Sequence, residues 1–151
     1  SFVTASITWI IVLFPALRRS RTLARKGHTL AAAEEKTGVP VASARMHNVF
    51  AGLAEEVIQT RVDLVHFPIL FYFYAEDRRA SLSSVLFVLR RFALEGMAHR
   101  EDELLRLTAT ALHEALEDLA NKLGERLDME DEPQDKVFRA FAEFHCEAAE
   151  G

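Results

Sequence analysis

The sequence predicts an all-α protein: one N-terminal transmembrane helix followed by a cytoplasmic helical bundle. Three observations predict this class: an uncharged apolar run at the start, a basic cluster directly after it, and apolar residues recurring every three or four positions through most of the remainder. The chain has 151 residues, half of them hydrophobic, enough for one domain and a short appendage. A net charge of -5 and a single cysteine, Cys146, agree with a folded domain in a reducing compartment.

The apolar run covers Ser1 to Leu17. It is close to the lower limit for a membrane span, which needs about 20 residues. Because the sequence starts inside this run and without a methionine, we expect it to be a truncated span cut from a longer protein. A signal peptide would carry its basic residues before the run, and a surface helix would need a charged face. A buried core helix of a soluble protein is the alternative.

Five juxtamembrane basic residues follow the run: Arg18, Arg19, Arg21, Arg25 and Lys26. Positive charge beside a membrane helix marks the cytoplasmic side. We therefore expect the lipid bilayer of the cell's inner (plasma) membrane as a partner, with the body of the chain in the cytoplasm. The body is acidic, especially between residues 101 and 132, which argues against nucleic-acid binding.

We divide the chain into three regions. Residues 1–26 contain the transmembrane helix end and the basic turn, residues 27–127 the cytoplasmic helical domain, and residues 128–151 an acidic linker with a short C-terminal helix. The first helix of the body continues from Leu23 to Lys36 and stops at Gly38 and Pro40. Apolar spacing predicts the next helix from about Ser43 to Asp63.

The run from Leu64 to Ala75 is the most apolar part of the body. Twelve residues are too few to cross a bilayer as a helix, so we expect a buried core segment or an interfacial one. Its aromatic residues would also permit a strand, but no second strand is evident to pair with it, so we predict a helix interrupted near Pro68.

Three more helices follow this run. Ser81 is expected to cap the first. The second is long and ends near Gly124. The third should dock on the body or on a neighbouring subunit. The predicted apolar stripes of the last two are Leu104, Leu105, Leu112, Leu116, Leu119 and Leu123, and then Val137, Phe138, Phe141 and Phe144.

The sequence contains no complete motif of a catalytic or metal-binding site. His113-Glu114 lacks the second histidine of a zinc motif, because residue 117 is Glu. We therefore expect no enzyme activity, cofactor or metal site. His66, inside the apolar run, is either a structural histidine bonded to the backbone or to Asp63, or a pH-sensitive contact.

The order of features resembles the C-terminal portion of prokaryotic two-transmembrane, pore-loop potassium channels. The likeness rests on the turn from Phe14 to Arg21, on Thr37-Gly38-Val39-Pro40, and on His66-Phe67-Pro68-Ile69-Leu70 followed by Ser81-Leu82. It covers roughly Ser1 to Ala98. The resemblance implies that Ser1 to Leu17 is the pore-lining inner helix, that the rest is a cytoplasmic regulatory or assembly domain, and that four copies surround a pathway for potassium ions.

A Thr-Val-Gly-Tyr-Gly-like selectivity filter is missing from these 151 residues, so a filter would have to precede Ser1 in the intact parent. Thr4 and Thr8, four residues apart on one helix face, are the candidates for pore-facing residues. The alternative is that their hydroxyls bond to their own helix. The competing hypothesis for the chain is a membrane-tethered helical interaction or sensor domain without a pore.

Overall fold

The computed structural model describes residues 1–74 and 81–150, with side chains in these ranges up to residue 146. All regular structure in these ranges is helical, which confirms the predicted all-α class. The elements are α1 (Phe2–Thr37), α2 (His47–His66), α3 (Leu70–Phe73), α4 (Leu82–Met97), α5 (Glu103–Arg126) and α6 (Gln134–Glu150).

Helix α1 is a single helix of 36 residues, about 54 Å long at 1.5 Å per residue. It passes from the apolar run through the basic cluster into the body, so no break marks the proposed boundary between residues 26 and 27. It ends where the sequence predicts. Gly38 adopts a left-handed conformation with φ 71°, and its N–H donates to the carbonyl of Glu34.

The core of the body is built where α2, α4 and α5 meet, with α5 packed most extensively against α2. The approach of the three helices is tightest at Gly96 of α4. A Cβ there would lie 2.5 Å from the Cβ of Ala109 and 3.2 Å from the ring of Phe50. A larger residue at position 96 would therefore push α4 away from α2 and α5.

The C-terminal half of α1 packs against both α2 and α4. It runs antiparallel to α2, because Arg19 pairs with Asp63 and Lys26 pairs with Glu56. It runs parallel to α4, because Gly27 lies against Val85 and, further along both helices, Glu34 pairs with Arg91. This half is therefore an integral part of the bundle.

Helix α6 docks on the body of its own chain, which is one of the two placements predicted for it. The ring of Phe138 meets that of Phe87 in α4, with centroids 6.4 Å apart, and the ring of Phe141 meets that of Phe71 in α3 at 5.4 Å. Both rings of α6 are fully buried.

The predicted start of α2 was wrong. Helix α2 starts at His47 instead of about Ser43, because Arg45 takes a left-handed φ of 71° that a helix cannot contain. The run from Leu64 is helical to His66 and again over Leu70–Phe73, which confirms the predicted interruption near Pro68; Phe67, just before the proline, lies outside the helical region with φ -129° and ψ 77°. The end of that run, Ala75, and the last residue, Gly151, lie outside the described residues.

The stripe predicted for α5 contained one error. Leu104 is exposed, whereas Leu105 and the other predicted leucines of the stripe are buried. Ser81 occupies the N-cap position of α4, but its side chain makes no capping hydrogen bond, so only the position of the predicted cap is confirmed.

Candidate membrane interface

The N-terminal half of α1 contacts few of the described residues. Among the described residues α1 is the one helix long and apolar enough to cross a membrane. Its large apolar side chains are exposed, from Phe2 at 89% to Val12 at 40%. They are Phe2, Val3, Ile7, Trp9, Ile10, Ile11, Val12 and Phe14. A soluble protein rarely leaves such a surface uncovered, so this half is the candidate contact with lipid.

Burial begins at Leu13, which marks where α1 enters the body. From there the buried positions follow the helical period and face α2 and α4: Leu13, Ala16, Ser20, Leu23, Ala24 and Gly27. The same helix thus changes surroundings within two turns, from exposed to packed along one stripe.

The five predicted juxtamembrane basic residues divide between two faces of α1. Arg19 and Lys26 turn toward α2, whereas Arg18 and Arg25 are exposed and Arg21 is half-buried. The Arg19 guanidinium donates from Nε and Nη2 to the two oxygens of the Asp63 carboxylate, at 2.9 and 2.7 Å. This bidentate hydrogen bond raises the pKa of Arg19. Lys26 reaches Glu56 at 3.2 Å on a more exposed site.

Asp63 is the buried member of the stronger pair. Its Oδ1 also accepts a hydrogen bond from Gln59 Nε2 at 3.0 Å, so both carboxylate oxygens are satisfied. The sequence suggested Asp63 only as a possible partner for His66. The signal for the true partner is the matching seven-residue spacing of basic residues 19 and 26 and acidic residues 56 and 63, which suits two antiparallel helices.

Thr4 and Thr8 lie at the mouth of an open apolar concavity beside α1, which Trp9, Leu13 and Phe67 also line. The Thr8 hydroxyl donates to the Thr4 carbonyl at 2.9 Å, and the Thr4 hydroxyl pairs with that of Ser1 at 3.0 Å. Both hydroxyls thus bond within their own helix, as the structural interpretation had it. Their role in a pore stays a prediction.

The aromatic segment around α3 lies against the apolar half of α1. The rings of Trp9 and Phe73 meet edge to face with centroids 6.3 Å apart. Leu70 and Phe71 point into the core, whereas Ile69 and Tyr72 are exposed. The segment therefore has one face on the body and a partly exposed face, where the ring of Tyr72 lies 6.2 Å from that of Phe144 in α6.

His66 is exposed, and its Nδ1 lies 2.9 Å from the carbonyl of Val62. It does not share Asp63, which belongs to Arg19 and Gln59. A second histidine, His145, carries no sequence signal, because no other histidine lies near it. It is buried in α6 against the rings of Phe71, Phe141 and Phe144, and burial lowers its pKa.

Comparisons of the chain with models of protein families, with curated proteins and with solved structures found no match.

Proposed function

We propose that this chain is the inner helix and cytoplasmic domain of a potassium channel, with its body on the cytoplasmic side of the plasma membrane. The observation that best supports this proposal is the continuity of α1. One helix carries the apolar half directly into the core of the body, with no linker between them. A helix lining a pore and fused in this way transmits any displacement of the domain to the pore.

The attachment of α1 to the body is firm enough for this role. Leu23 and Ala24 are fully buried, and a Cβ on Gly27 would clash with Val85. The bidentate Arg19–Asp63 pair adds an oriented polar contact one turn before these residues. The body therefore moves with α1 as one unit.

A potassium pore also needs parts that these 151 residues do not supply. Selectivity arises from rings of backbone carbonyls in a filter, contributed by four copies of the chain around one axis. The proposal requires a pore loop preceding Ser1 in the parent and assembly as a homotetramer. In it, the α1 face carrying Thr4 and Thr8 lines the potassium pathway.

The test is a potassium-current recording from the intact parent protein in planar bilayers. The exposed Cys146 is first replaced by Ser, and Thr8→Cys is then compared with Ile10→Cys, which lies about 160° away around α1. A cytoplasmic thiol reagent should block the Thr8→Cys current and spare the Ile10→Cys current. Absence of potassium current from the intact protein would reject the proposal.

A membrane-tethered interaction domain without a pore is the second candidate, and one observation favours it. The outward side of α2 carries an exposed apolar stripe of Ile58, Val62 and Val65, which continues to Ile69. Such a stripe suits a protein partner. A coding sequence without a pore loop upstream of Ser1, together with a chain that stays in the membrane fraction, would support this candidate over the channel.

A further inference from the structure

The segment from Phe67 to Phe73 lies beside the apolar half of α1. The α1 residues that it contacts give its height along that helix. Phe73 contacts Trp9, and Phe67 shares the concavity with Trp9 and Leu13. Trp9 and Leu13 precede Arg18, the first charged residue, by nine and five positions. At 1.5 Å per residue, the segment lies about 7 to 14 Å above the level of Arg18.

The segment itself is nearly free of charge. Between Asp63 and Tyr74 the sequence carries no acidic or basic residue except His66. Asp63, at the lower edge, is neutralised by Arg19, and the His66 ring bonds to the Val62 carbonyl. The Arg19–Asp63 pair therefore marks the lower boundary of an apolar layer that includes the segment as well as α1.

The backbone of the segment is also suited to surroundings without water. Although it is not a continuous helix, the N–H groups of Phe67, Leu70, Phe71 and Tyr72 donate to carbonyls within the stretch from Asp63 to Ile69, at 2.8–3.2 Å. Pro68 has no N–H to satisfy. Irregular backbone inside a bilayer is costly when its polar groups lack partners, and here most of the donors have one.

The side chains complete the pattern. Leu70 and Phe71 are buried against the body, whereas Ile69 and Tyr72 project outward, Tyr72 at 60% exposed. Tyrosine combines an apolar ring with a polar hydroxyl and is enriched where a membrane meets water.

We propose that the segment Phe67–Phe73 is embedded in the inner leaflet of the membrane, with Ile69 and Tyr72 in contact with lipid acyl chains. The inference rests on the membrane helix of the proposed function and adds a second, non-spanning contact with the same leaflet. Thr4 and Thr8 share the concavity with Phe67, while Trp9, which contacts Phe73, lies about 100° from Thr8 and about 140° from Thr4 around α1.

The experiment uses tryptophan fluorescence of the whole chain in vesicles of phosphatidylcholine and phosphatidylglycerol. Trp9 is the single tryptophan, so the native chain reports the depth of α1. In a Trp9→Phe background, Tyr72→Trp reports the segment. Leu107→Trp is the matched control, because Leu107 is 65% exposed but lies far from the segment. It is close in sequence to Asp102, which accepts a hydrogen bond from the Arg45 N–H just before the start of α2, whereas the segment follows the end of α2. Lipids brominated on their acyl chains are the quencher, and iodide probes water.

The expected result is a loss of fluorescence in brominated lipid for Tyr72→Trp that matches the loss for Trp9, while Leu107→Trp is quenched by iodide alone. If Trp9 is quenched by brominated lipid and Tyr72→Trp is quenched by iodide, the inference is overturned and the membrane helix stands. Shielding of Tyr72→Trp from both quenchers would mean that a second copy covers the segment, which also overturns the inference. If brominated lipid quenches neither tryptophan, α1 does not insert and both proposals fail.

Discussion

The two halves of α1 have similar helical backbones and opposite surroundings. From Phe2 to Val12 the large apolar side chains are open to the outside, whereas from Leu13 to Gly27 every third or fourth residue is buried in the bundle. The hydrophobicity of a single residue does not determine whether it is buried, because Ile11 and Leu23 are both large and aliphatic but are 65% and 1% exposed. The difference arises from what the rest of the chain places beside each half.

This contrast shows that one continuous helix can have one half packed in a protein core and the other half exposed. Among the described residues, Phe67 and Phe73 are the body's aromatic partners for the apolar half of α1, at Leu13 and Trp9. The large apolar side chains nearer the start of α1 are exposed in the described part of the chain. Matched substitutions in the two halves test this difference in burial through their effects on stability.

The largest difference is expected between Leu23→Ala and Ile11→Ala. Leu23 is 1% exposed, and truncating a buried leucine lowers the free energy of unfolding by about 2–5 kcal/mol. Ile11 is 65% exposed, so the same truncation should change it by less than about 0.5 kcal/mol. Guanidinium unfolding in mild detergent, followed by circular dichroism, measures both. Equal losses would show that the two halves share one packed environment.

A smaller difference is expected between the neighbouring Arg19→Met and Arg18→Met. The first leaves the buried Asp63 carboxylate with Gln59 as its hydrogen-bond donor, and a buried charged acceptor that loses a partner costs about 1–3 kcal/mol. The second removes an exposed charge that pairs with no described residue, so stability should change by less than about 0.5 kcal/mol. The same unfolding measurement applies. A larger loss for Arg18→Met would mean that Arg19 is not the residue that joins α1 to α2.

The sequence predicted the fold class, the long apolar helix, its stop at Gly38 and the start of α4 at Ser81, because each depends on local signals. The contact between Arg19 and Asp63 was missed, since it joins residues 44 positions apart and its spacing signal has meaning only once α1 and α2 are known to be antiparallel neighbours. Periodicity placed Leu104 with the buried leucines, but which flank of a helix faces the core depends on the neighbouring helix.

The aromatic segment shows the same limit in another way. Its composition left a core segment and an interfacial segment equally open, and the structure gives it both a buried and an exposed face. Pro68 predicted the interruption correctly, because the restriction it imposes on Phe67 is local. The contact with Trp9 depends on how the whole bundle is assembled and has no signature in the sequence.

The smallest effect concerns His145, which connects the body to the apolar half of α1 through α3. Burial lowers its pKa from the ordinary 6.5, so as the pH falls the unfolded chain takes up a proton on this ring before the folded chain does. The contribution of His145 to stability is therefore complete above about pH 6.5 and declines below it, with a slope of at most about 1.4 kcal/mol per pH unit.

His145→Phe should reduce this acid sensitivity, whereas Cys146→Ala, at the exposed neighbouring position, should keep it. Unfolding curves between about pH 5 and pH 7.5 give the slope for each variant. Because His145 packs on Phe71 in α3, and Phe73 of α3 packs on Trp9, Trp9 fluorescence should change with the same midpoint if α3 alone supports this part of α1. If the unfolding free energy depends on pH but Trp9 fluorescence does not, lipid holds the apolar half of α1 independently of the bundle.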